Sequence, residues 1–113
     1  MTNKELLEET EGILLNAIET VKGMTVENLT ESIAFIKKSF TFLTDEILPR
    51  EVLDNIKDGT IADLLTKVKR NSYSFLMIAL SSVNNENYVS KKEILVNWLK
   101  FYSDRLEGVL RNG

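Results

Sequence analysis

Leu29, Ile33, Ile36, Phe40, Leu43 and Ile47 recur at intervals of four, three, four, three and four residues. That interval returns every side chain to one side of an α-helix, whereas a strand would scatter them over both faces. A chain with such a seam must bury a long helical stripe against other helices. The rest of the sequence supplies partners of the same kind. It contains one proline and five glycines in 113 residues. These breakers fall mostly between periodic segments, which is how an all-helical chain is punctuated.

The first helix is predicted from Lys4 to Lys22, with Leu7, Leu14, Ala17, Ile18 and Val21 on one face and Gly23 just beyond its end. Gly12 interrupts it at a cost of up to about 1 kcal/mol relative to alanine. The second helix opens with Thr25 as cap and a Met24–Leu29 hydrophobic staple. Pro49 ends it, because the residue before a proline is pushed out of helical conformation. A short third helix from Pro49 to Lys57 is expected to lay Val52, Leu53 and Ile56 across one end. The fourth opens with Thr60 as cap. Its main stripe is Ile61, Leu65, Val68, Ser72, Phe75, Ala79 and Val83, with Tyr73, Leu76, Met77 and Leu80 as a second line. So much apolar circumference predicts a central helix. The fifth begins with a Ser90-Lys-Lys-Glu93 capping box and a Val89–Ile94 staple. Leu95, Trp98, Tyr102, Leu106 and Val109 form its stripe. The short links predict antiparallel neighbours. The expected fold is all-α: one domain over residues 1–113, an antiparallel four-helix bundle with a short extra helix between the second and third long helices.

The residue types that are missing narrow the chemistry. Without cysteine or histidine there can be no disulfide, thiolate zinc site, histidine general base or Ser-His-Asp triad. Four glutamates, Glu19, Glu31, Glu46 and Glu93, could hold a metal only by turning inward. Each lies off its helix's apolar seam or at a cap, so neither a metal nor a cofactor is expected. Seventeen acidic and fourteen basic residues leave a formal charge of −3, which is unlike a non-specific nucleic-acid binder. The longest apolar run, Phe75 to Leu80, is far short of the ~20 residues that span a bilayer. A soluble cytoplasmic protein is expected. The abundance of Asn, Lys and Ile points to an AT-rich genome, bacterial or phage.

Two clusters stand out as candidate sites. Phe35 and Phe42 are seven residues apart on the second helix, nearly opposite the seam at about 100° per residue. If no other helix covers them, they form an aromatic patch with Lys38 and Ser39 at its rim. Such patches mark contact surfaces for a partner protein or a second copy. The other cluster is basic: Lys67, Lys69 and Arg70. It is a solvated helix face by default, and a nucleic-acid, nucleotide or anion contact otherwise. No aromatic is interleaved with it in the sequence. Glu5, Glu8, Glu9 and Glu11 read as a solvated acidic face that favours the start of the first helix.

The expected function is a non-enzymatic interaction module of the inhibitor, immunity, adaptor or chaperone type, docking the Phe35–Phe42 face on another protein. The alternative is a nucleic-acid- or nucleotide-binding regulator using the Lys/Arg patch. An enzyme would have to work with carboxylate, lysine or tyrosine chemistry alone. The layout resembles that of small bacteriocin immunity proteins, also four-helix bundles of about this length. The similarity lies in architecture and not in a motif, and architecture does not fix function.

Overall fold

A computed structural model describes Met1–Asn112 and places 22 apolar side chains in one buried cluster. The chain forms five helices, four of them long; the four long ones supply twenty of these side chains, Met24 and Leu48 come from the links, and no strand occurs among the described residues. Helix α1 spans Asn3–Lys22. Helix α2 covers 29–47, α-helical over Leu29–Phe42 and widened to a π-helix over Leu43–Ile47. Short α3 is Arg50–Asp54. Helix α4 covers 59–81, with a π segment at Ser72–Leu76 between α-helical Gly59–Asn71 and Met77–Ser81. Helix α5 is Tyr88–Asn112. Its most extensive contact is with α1, while α2 packs on α1 and on the end of α4, and α3 packs on α4. The molecule measures 45 × 25 × 19 Å, so its cross-section is about two helix widths each way.

The helix starts follow local chemistry, not always at the expected residue. Thr2 and Glu5 close a capping box that starts α1 at Asn3, one residue ahead of the predicted Lys4. Asp58 caps α4 in place of Thr60, accepting from the N–H groups of Thr60 (2.9 Å) and Ile61 (3.2 Å). The Ser90–Glu93 box does not form. Helix α5 is already regular at Tyr88, the Ser90 hydroxyl donates to the Asn87 carbonyl, and both Val89 and Ile94 are exposed.

The links before α2 and α5 are built alike. The Thr25 N–H donates to Asn28 Oδ1 (2.8 Å), and the Asn28 N–H donates back to Thr25 Oγ1 (3.3 Å). The Asn28 amide then reaches the Gly23 carbonyl at the end of α1 (3.0 Å). Before α5, Asn84 and Asn87 exchange the same pair of bonds, at 2.8 and 2.9 Å. The Asn87 amide reaches the Ser82 carbonyl at 2.9 Å. Thr-Val-Glu-Asn and Asn-Asn-Glu-Asn are thus two versions of one corner. Lys92 Nζ, on α5, joins the two by donating to the Lys22 carbonyl at 3.2 Å.

The π segment of α4 explains where the expected stripe went wrong. Leu64, Val68, Ser72, Leu76 and Leu80 are all buried, at steps of four. Each such step over-rotates an α-helix by about 40°, or about 160° from Leu64 to Leu80. One inserted residue takes back about 100° and keeps the row on the core. The stripe therefore continues through Leu76 and Leu80, while Phe75, Ala79 and Val83 are only half-buried. The helix is not central: Tyr73 and Ile78 are exposed.

Candidate functional site: the outer face of the second helix

The side of α2 opposite its seam carries Phe35, Lys38, Ser39 and Phe42. Ile36, Phe40 and Leu43 lock the other side into the core, each fully buried. That anchorage turns Phe35 and Phe42 outward, where they remain 50% and 53% exposed. The structure brings all four predicted residues onto one face. Lys38 is exposed, and the half-buried Ser39 donates its hydroxyl to the Phe35 carbonyl at 2.9 Å. Neighbouring Lys37 points the other way and donates to Ser81 Oγ on α4 at 2.9 Å.

The π segment begins directly after Phe42. Its signature is the Leu48 N–H bonded to the carbonyl of Leu43, five residues back, at 2.8 Å. Tyr73, from the π segment of α4, holds the same place from outside. Its hydroxyl lies 3.0 Å from Thr44 Oγ1 and 3.1 Å from Asp45 Oδ1. Single π turns are frequent at functional sites because they re-aim the side chains around them. Here one fixes the end of the aromatic face. Sequence periodicity could not reveal Tyr73 in this role, because the inserted residues leave no compositional mark.

The basic cluster does not stay together. Lys69 turns toward the core and donates to the Leu48 carbonyl at 2.7 Å, capping the end of α2. Lys67 pairs with Asp63 at 2.9 Å along the exposed surface. Lys67 and Arg70 line a shallow groove between α4 and α5 together with Asn71, Phe101, Tyr102 and Arg105. Phe101 and Arg105 are one turn apart on the outer side of α5, opposite its buried stripe. They are aromatic and basic neighbours of the patch that no local sequence signal connects to it.

Buried polar side chains offer no reactive group. Thr10, Ser72 and Ser103 return their hydroxyls to backbone carbonyls one turn back. Among the described residues, no buried side-chain nitrogen or oxygen lacks a partner. Nor does any group of three or more acidic residues form a metal cage there. No described helix is long and apolar enough to cross a membrane. Among the described residues, two carboxyl groups are perturbed. Burial, then repulsion from Glu107, raises Glu11 above its ordinary value. Hydrogen bonds from the backbone and side chain of Thr2 lower Glu5.

Comparison with protein-family models, curated proteins and solved structures found no match to this chain.

Proposed function

We propose that the four long helices form an antiparallel bundle serving as a non-enzymatic interaction module, which docks the outer face of α2 on a partner protein. The hydrogen bonds between α2 and α4 support the antiparallel order: Lys37 meets Ser81, while Thr44 meets Tyr73. The docking role rests on one observation. Two phenylalanines stand half-exposed two turns apart on a helix whose opposite side is fully packed. Holding two aromatic rings in water forgoes burial energy that a partner can recover.

Charge selects the kind of partner. Glu31 precedes the aromatic face, and Asp45 and Glu46 follow it; all three are exposed. Lys38 sits between. Pairing α2 antiparallel with a second copy, Phe35 against Phe42, would bring the Glu31 end of one copy to the Asp45–Glu46 end of the other. Like charges there oppose self-association. An amphipathic helix with two apolar anchors and basic residues at its rim meets the face without that repulsion.

The test places a photo-reactive benzoyl-phenylalanine at Phe35, at Phe42 or at the control Val89, with irradiation in host lysate. Positions 35 and 42 should trap the same protein, through a segment rich in Lys or Arg, and Val89 should not. Adducts of the chain with itself, an acidic contact segment, or equal trapping from Val89 would overturn the reading.

A further inference from the structure

We infer that the groove between α4 and α5 is a nucleotide-binding site, with Lys67, Arg70 and Arg105 taking the phosphates and Phe101 the base. This inference does not depend on the docking role of α2. It starts from charge. The chain is acidic overall, yet three cations from two helices line one groove. Lys67 has Asp63 beside it. Among the described residues, neither Arg70 nor Arg105 forms an ion pair. Two arginines lining one groove with no ion-pair partner of their own leave positive charge there that an anion relieves. Planar guanidinium groups suit phosphate oxygens, which they can bind two at a time.

The groove also has an ordered aromatic wall. The Arg105 guanidinium lies 5.3 Å from the Phe101 ring centre, a cation–π contact that restrains the arginine before any ligand arrives. Tyr102 meets Phe101 edge-on at 5.1 Å, and its hydroxyl accepts a hydrogen bond from the Asn71 amide of α4. The wall is thereby tied to the facing helix. Phe101 itself is 54% exposed. A base can stack on its free surface or on the guanidinium plane.

The extent of the charge favours a compact ligand. Lys67 and Arg105 also border a second stretch of the groove, lined further by Thr60, Asp63 and Gly108, which gives room for a sugar. The basic surface ends there. Asp63 is exposed in the lining of that stretch, and a long polyanion tracking the surface would meet it. A single nucleotide bearing several phosphates fits better than a nucleic-acid strand.

Calorimetric titration of the full chain at low salt would use ATP, inorganic tripolyphosphate and oligothymidylate as probes. ATP should bind more tightly than tripolyphosphate, and its affinity should fall as salt is raised. An Arg70→Ala, Arg105→Ala pair should weaken ATP about tenfold or more, since each loss removes a charge-assisted hydrogen bond. Phe101→Leu should weaken ATP more than tripolyphosphate and so abolish the preference between them. These side chains are exposed, and unchanged thermal unfolding would show that the variants are folded. No ATP binding, or binding indifferent to the arginine pair, overturns the site. Equal affinity for ATP and tripolyphosphate overturns the nucleotide assignment in favour of a plain anion site. Tighter binding of oligothymidylate overturns it in favour of a single-strand surface.

Discussion

Phe40 and Phe42 are two residues apart on one helix, and replacing each by alanine should separate them sharply. Phe40 is fully buried, its ring centre 6.3 Å from that of Trp98. Removing it deletes a whole aromatic side chain from the core and leaves a cavity, which costs about 3–5 kcal/mol. Phe42 is 53% exposed, so alanine forfeits about half the burial energy of a phenylalanine and opens no cavity, a loss of about 1 kcal/mol. The expected difference is therefore about 2–4 kcal/mol. Urea unfolding followed by Trp98, the only tryptophan, measures it directly. The denaturant slope must stay constant for the two midpoints to be compared. In thermal unfolding, each kcal/mol moves the midpoint of a domain this size by about 3–6 °C. A Phe42→Ala loss equal to that of Phe40→Ala would refute the assignment of Phe42 to an open face. If that loss appeared only at high protein concentration, the covering element would be a second copy.

Three smaller perturbations test other parts of the structure. Tyr73→Phe removes the hydroxyl that joins the two π segments and should cost about 0.5–1.5 kcal/mol in urea unfolding; no loss would mean that the contact with Thr44 and Asp45 is idle. Glu11→Gln should stabilise the protein at neutral pH. Folding raises the pKa of Glu11, so its contribution is fully present below the unfolded value and is lost as pH rises through the folded one. The advantage of glutamine should therefore vanish below about pH 4, as thermal unfolding across pH would show. Gly12→Ala should add about 0.5–1 kcal/mol, because a Cβ there meets nothing within 4 Å; destabilisation on thermal unfolding would point to a close neighbour at that position.

Much of this fold is written in hydrophobic spacing. Every residue of the predicted seam from Leu29 to Ile47 is buried or half-buried, as is every predicted face residue of α1. The spacing misled where the helix stopped being an α-helix. After Ser72 an α-helical count selects Phe75 and Ala79, and the π turn selects Leu76 and Leu80. A backbone insertion of this kind is chosen by packing across helices, so no local pattern announces it. The candidate sites divide along the same line. The direction of Phe35 and Phe42 follows from helix geometry, but their exposure depends on where α3 and α4 lie. The basic run shows in the sequence, whereas the sorting of Lys69 away from Lys67 and Arg70, and the arrival of Phe101 and Arg105, require the third dimension.

The paired corners lock one end of the molecule within its own links. Each corner ties its own two helices by side-chain bonds to the backbone, and Lys92 Nζ reaches across from one corner to the other. Away from them, the connection from α2 to α4 runs through five-residue α3, which has no fully buried side chain. Thermal fluctuation should then release α3 first, as a flap, while Lys69 and Tyr73 hold α4 to the end of α2 and the two asparagine-locked corners keep the far end in register. Amide hydrogens around α3 should exchange with solvent by local opening, well before those of the helical turns beside the corners, whose release calls for a larger unfolding event.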